Sequence, residues 1–148
     1  MIRANFSGAD LTDANLSGLN LSAADLTNAK FSFTNLKGAN LSYAKLDSAH
    51  FWSSCLDDAN LLGANLLFVL VERTSLSRAN FTEALLIETF VSKSDLVDAN
   101  LSRANLLSAK FSGVDLSGAD LSGADLTDVD LSTTILKGTK MPDRTIHD

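Results

Sequence analysis

The chain has 148 residues, of which 45% are hydrophobic and 20% charged, with a formal net charge of −6. That apolar content is too high for a disordered segment, and no stretch approaches the roughly 18 apolar residues that a membrane-spanning helix needs. An acidic body is repelled by DNA and by anionic membranes, and the single cysteine, Cys55, excludes an internal disulfide and any cysteine-rich metal site.

Read from the start, MIRANFSGAD carries one Arg and no apolar run of signal-peptide type, so a cytoplasmic protein is expected. From Phe6 onward the sequence keeps a period of five. Stepping through Leu11, Leu16, Leu21 and Leu26 to Leu136 and Met141 gives 28 positions holding 20 Leu, five Phe, two Val and one Met. Two residues before each stands a small residue, most often Ala. Asn or Asp lies between the two, and Ser or Thr and often Gly follow, as in ANLSG (14–18) and ADLSG (119–123).

Neither standard element accommodates this period. On an α-helix a step of five drifts by about 140°, which smears the leucines around the cylinder. On a flat strand five is odd, so alternate leucines would face opposite ways. A chain that turns a corner once per five residues keeps every leucine, and the small residue two before it, pointing inward. The Asn/Asp, Ser/Thr and Gly positions then face water or make the bend.

The coil length follows from columns at a spacing of 20. Asn20, Asn40, Asn60, Asn80 and Asn100, then Asp120, form one column; Phe31, Phe51, Val71, Val91 and Phe111 form another. Four pentapeptides per coil make a square. On these residues the chain resembles the pentapeptide repeat family, whose consensus A(D/N)LXX fits residues 4–141. The resemblance implies an all-β, right-handed quadrilateral β-helix of about seven coils of 20 residues, which at about 4.8 Å per coil is a rod of roughly 34 Å.

Residues 1–141 are read as this solenoid and 142–148 as a C-terminal tail. The ending MPDRTIHD resembles those of cyanobacterial members, and Pro142 cannot donate to further pairing. Stacked coils leave an unpaired backbone edge at each end. With no obvious cap in the sequence, an end-to-end homodimer is expected.

The sequence offers no convergent chemistry. His50 and Cys55 fall on adjacent sides and point apart, whereas a Cys–His nucleophile needs contact between the two. Asp115, Asp120, Asp125 and Asp130 occupy four different sides, a ring and not a calcium cage. No catalytic, cofactor-binding or metal site is expected.

One side departs from the pattern. Its outward positions include Lys30, Phe33, His50, Trp52, Leu70, Arg73, Phe90, Lys93 and Lys110, and the neighbouring side adds Leu67, Phe68, Leu85, Ile87 and Leu107. Exposed aromatics beside positive charge have the composition of an interface core. The side is therefore the expected protein-binding face, set against the alternative that the repeat has merely decayed in the middle coils. The function read from this is a non-enzymatic protein-interaction or scaffolding solenoid with a protein partner. A second reading, implied by the family resemblance, is a DNA mimic that binds topoisomerases, as the quinolone-resistance proteins do.

Overall fold

The corner is the unit from which the molecule is built. In the computed structural model, which describes residues 1–148, the corner residue has positive φ at every fifth position from Arg3 to Gly138 except Thr133. All eight glycines sit there, but most corners hold another residue, such as Arg78 (φ 58) or Asp98 (φ 56). At most corners the next amide donates back to the core residue's carbonyl, as Ala9 to Phe6 at 2.9 Å and Ala64 to Leu61 at 3.0 Å. A bond from the fourth residue to the first, with positive φ at the third, is the geometry of a type II turn.

Such corners are strained for residues with a Cβ, and the outward Asn or Asp offsets this. Its Oδ1 accepts the amide two residues on: Ser22 donates to Asn20 at 3.0 Å, and Ser122 donates to Asp120 at 2.8 Å. The Asn/Asp position therefore ties the corner down from outside as well as facing water.

Between corners the chain pairs in parallel with the coil above, residue i to i+20. The isolated bridges run from Asn5↔Asp25 to Asp120↔Lys140 and include the unbroken asparagine column. Core amides donate one way along the axis and outward amides the other, as Leu36 to the Cys55 carbonyl (2.7 Å) and Asn60 to the Ala39 carbonyl (2.9 Å). The chain is an all-β, right-handed quadrilateral β-helix with a 20-residue coil. Regular three-residue strands extend through five coils only. They are β1 (Lys30–Ser32), β2 (His50–Trp52), β3 (Leu70–Glu72), β4 (Phe90–Ser92) and β5 (Lys110–Ser112), stacked in order as one parallel sheet. The coils before and after are joined by isolated bridges.

The interior is a single column of leucine layers spaced by alanines. Leu76 is 4% exposed and Ala79 fully buried, while Asn60 lies half-buried outside and accepts a bond from Asn80 Nδ2 at 3.1 Å. Phe31 and Phe51 stack face to face with centroids 4.6 Å apart. Where Val71 and Val91 replace phenylalanine in that column, an apolar void of about 20 Å³ remains, lined only by hydrophobic side chains. It has room for about one water and offers it no polar partner, so it is dry.

The two ends differ. At the first coil Phe6, Leu11, Leu16 and Leu19 are only partly buried, and Met1 and Ile2 are exposed. At the last coil the tail does more than stop. It turns back so that Lys140 bridges Ile146 antiparallel, His147 donates to the Thr139 carbonyl (2.8 Å), and Gly138 donates to that of His147 (2.8 Å). Pro142 lacks an N–H, yet its carbonyl accepts from Gly123 at 3.0 Å, so proline does not end the pairing. No helix of the chain is long and apolar enough to cross a membrane.

Candidate protein-binding face

The side that departs from the asparagine pattern is the side that carries β1–β5. Lys30, His50, Leu70, Phe90 and Lys110 stand in one register column, joined pairwise through the sheet. None of them has the carboxamide or carboxylate needed for the corner bond. At this side the chain stays extended for three residues, and the central, buried residue of each strand is Phe or Val, side chains that suit a pleated surface.

The corner that follows is correspondingly altered. At residues 34, 54, 74, 94 and 114 the amide bond back to the core residue's carbonyl is absent, and the inward residue is Thr34, Ser54, Thr74, Ser94 or Val114, all buried. At two of these corners a hydroxyl of the next coil accepts the freed amide. The Thr74 amide donates to Ser94 Oγ at 3.1 Å and the Ser54 amide to Thr74 Oγ1 at 3.4 Å. In turn Ser94 Oγ donates to the Ser92 carbonyl (2.8 Å), Thr34 Oγ1 to that of Leu11 (2.8 Å), and Ser54 Oγ to that of Phe31. No buried side-chain polar atom is left without a partner. This hydroxyl ladder was unassigned by the sequence reading, although its signal was present as Ser and Thr recurring at one small-residue column.

All nine predicted face residues are exposed and share this side or its following corner. Trp52 belongs to the second outward column of the sheet; Phe33, Arg73 and Lys93 stand at the corner with positive φ. Phe33 and Trp52 pack with their rings tilted by 53° and centroids 5.1 Å apart. On the neighbouring side the patch is narrower than the sequence suggested. Leu85 and Phe68 are exposed, but Leu67, Ile87 and Leu107, each 20 residues apart on successive coils, are half-buried. Tyr43, 61% exposed, stands at a distant corner with its ring over Gly63, where a Cβ would come within 2.6 Å of it.

Charge is distributed unevenly. Away from the sheet, Arg78 is held in a two-pronged pair with Asp58 (2.7 and 3.0 Å), Arg103 pairs with Glu83 (3.2 Å) and Lys140 with Asp120 (3.2 Å). The Arg78 guanidinium holds the Asp58 carboxyl below the ordinary range. On the sheet Arg73 meets Glu72 at 3.6 Å, while Lys30, Lys93 and Lys110 have no ion-pair partner. Within β1–β5 and the corner after it, four cations thus stand with the one carboxylate of Glu72, while Asp10 and Asp130 continue the column beyond Lys30 and Lys110 and Glu88 stands at the corner before.

Reactive groups do not converge. His50 and Cys55 lie on different bridge columns, as do Asp115, Asp120, Asp125 and Asp130. No three His, Cys, Asp or Glu side chains are gathered to hold a metal ion.

A square coil of parallel bridges with a corner every five residues defines a pentapeptide β-solenoid. The family profile for pentapeptide repeats matches the chain in eight copies over residues 4–42, 74–106 and 99–138, and the chain belongs to that family. The matched residues leave out 43–73, the stretch that contains Trp52, Phe68 and Leu70. Among solved structures the chain is similar to HetL, a pentapeptide repeat protein involved in heterocyst differentiation regulation from the cyanobacterium Nostoc sp. PCC 7120. Identity is 32%, covering 99% of this chain and 78% of HetL, with a TM-score of 0.50. A pentapeptide repeat protein of the Arabidopsis thaliana thylakoid lumen is 27% identical over 83% of this chain and 72% of its own, TM-score 0.53. A trypsin-treated form of QnrB1, a plasmid-mediated fluoroquinolone resistance protein, shares the fold at 22% identity, covering 95% and 78%, TM-score 0.65. No curated protein sequence matches the chain significantly.

Proposed function

We propose that the chain is a non-enzymatic interaction body that binds a protein partner through the β1–β5 side. The observation that carries this reading is the coincidence, on one rigid sheet, of exposed Trp52, Leu70 and Phe90 with three lysines that lack ion-pair partners. Rigid aromatic anchors rimmed by charge are what interfaces concentrate, and an exposed apolar patch on a scaffold this regular marks a contact surface. HetL, the 32% identical relative, is described as involved in regulation, a role that suits a binding body. The likeness to QnrB1 is one of fold. Lys30, Arg73, Arg78, Lys93 and Lys110 interrupt the acidic surface through the middle coils, which argues against a duplex-DNA mimic.

The test is affinity capture from the source organism with the wild type and with Trp52→Ser/Phe90→Ser. The partner is expected to disappear from the variant while its β-type circular dichroism spectrum is unchanged. A partner retained in full by a folded variant removes this side from consideration.

A further inference from the structure

Resting on that reading of the face, we infer that its occupant is an amphipathic α-helix with acidic ends, lying along the solenoid axis across β1–β5. The first ground is hydrogen bonding. Each strand's backbone is engaged by the coils above and below, so the side presents side chains and no free edge to which an extended peptide could add. An extended segment laid over Leu70 and Phe90 would have its own amides and carbonyls stripped of water with nothing to bond. A helix satisfies its backbone internally and needs only side-chain complementarity.

The second ground is spacing. Coils repeat at about 4.8 Å and helix turns at about 5.4 Å, so one turn can seat against each coil, with a mismatch that stays near 2 Å over four steps. Along the axis such a helix meets Lys30, His50, Leu70, Phe90 and Lys110 in that order. Within β1–β5 cations stand at the two ends and apolar surface in the middle, and Asp10 and Asp130 continue the column beyond them, which confines an acidic helix to this span. The span from Lys30 to Lys110, roughly 19 Å, corresponds to a helix of about 13 residues. A shallow hollow beside Phe90, walled by Leu70, Thr89 and Ser108 and rimmed by Lys110 and Glu88, is placed to take one apolar anchor. Charge selects the rest: the unpaired lysines favour Asp or Glu at both helix ends and disfavour a basic segment.

The probe is a displayed library of 14-residue helical peptides, selected on the immobilised full chain at low salt. Recovered peptides are expected to carry leucine-type residues at helical spacing between acidic ends. Their affinity should fall roughly tenfold in Lys30→Glu/Lys93→Glu/Lys110→Glu, as three exposed ion pairs would account for, and should fall with added salt. It should be lost in Trp52→Ser/Phe90→Ser. Peptides that need the aromatics but are basic, or that show strand alternation, overturn the helix inference and leave the face reading standing. Peptides indifferent to both variants overturn the face reading itself. Recovery of no peptide, or self-association of the wild type that Trp52→Ser/Phe90→Ser abolishes, overturns the acidic helix as occupant.

Discussion

At the scale of the residue, the outward Asp and Asn positions do the same mechanical work with different chemistry. Asn20 and Asn40 accept the corner amide as Asp10, Asp25, Asp125 and Asp130 do, but only the aspartates titrate. The side-chain and backbone bonds from Thr12 hold Asp10 below the ordinary range; Thr27 and Thr127 do so for Asp25 and Asp125, and the Ser132 amide and hydroxyl for Asp130. For Asp120 burial acts upward, and the bonds from Ser122 and Lys140 outweigh it. A carboxyl depressed in the folded state binds fewer protons there than in the unfolded chain. Its stabilisation is therefore complete above the unfolded value near pH 4 and is lost as the pH falls through the lower folded values. Urea midpoints measured from pH 7 to pH 2 should decline on that acid limb. In Asp10→Asn/Asp25→Asn/Asp125→Asn/Asp130→Asn the decline should be shallower, with little change at pH 7. An identical acid limb would show that these bonds do not stabilise the corners.

At the scale of the element, regular strand and repeat corner are alternative ways of satisfying the same backbone. Where Asn or Asp stands outside, the chain makes a tight turn and a single bridge; on the side where Lys30, His50, Leu70, Phe90 and Lys110 stand there, with Phe or Val inside, it makes β1–β5, and buried hydroxyls stand at the corner behind all but the last. Ser94→Ala would leave the buried Thr74 amide without its acceptor, at a cost of about 1–3 kcal/mol. The outward Ser102→Ala removes no comparable bond. Equal chemical denaturation midpoints for the two variants would contradict the ladder's role. The side itself was legible in the sequence, because a covalent period of 20 brings Lys30, His50, Leu70, Phe90 and Lys110 into a column whatever the atomic detail. The hydroxyl ladder was not, because Ser and Thr pass for small residues at an inward position until the missing turn bond is seen. Nor was the half-burial of Leu67, Ile87 and Leu107, since a period fixes direction but not how far neighbouring side chains shield one another.

At the scale of the whole molecule, the sequence prescribed the square coil because repetition leaves one arrangement in which every leucine is inside. It left the ends open for the same reason: nothing repeats there. The fold-back of the tail is antiparallel backbone pairing between 139–141 and 145–147, which carries no side-chain signature. It covers one side of the last coil, while Leu126, Val129 and Leu131 stay partly exposed there, as Phe6, Leu11 and Leu16 do at the first. Coverage of one of these apolar ends by a second copy predicts a concentration-dependent shift from monomer to dimer in sedimentation velocity. A single monomer species throughout the series would remove the end-to-end pair.

The proposed binding face is the outer surface of β1–β5. Hydroxyl-radical footprinting of the complex with the captured partner tests this most directly, because the chain carries its own internal control. Trp52, Leu70 and Phe90 are exposed on the sheet, and Tyr43 is exposed on a distant corner. The account predicts that partner binding protects Trp52, Leu70 and Phe90 and leaves Tyr43 as reactive as in the free protein. Protection of Tyr43 with Trp52 and Phe90 still fully reactive would contradict it.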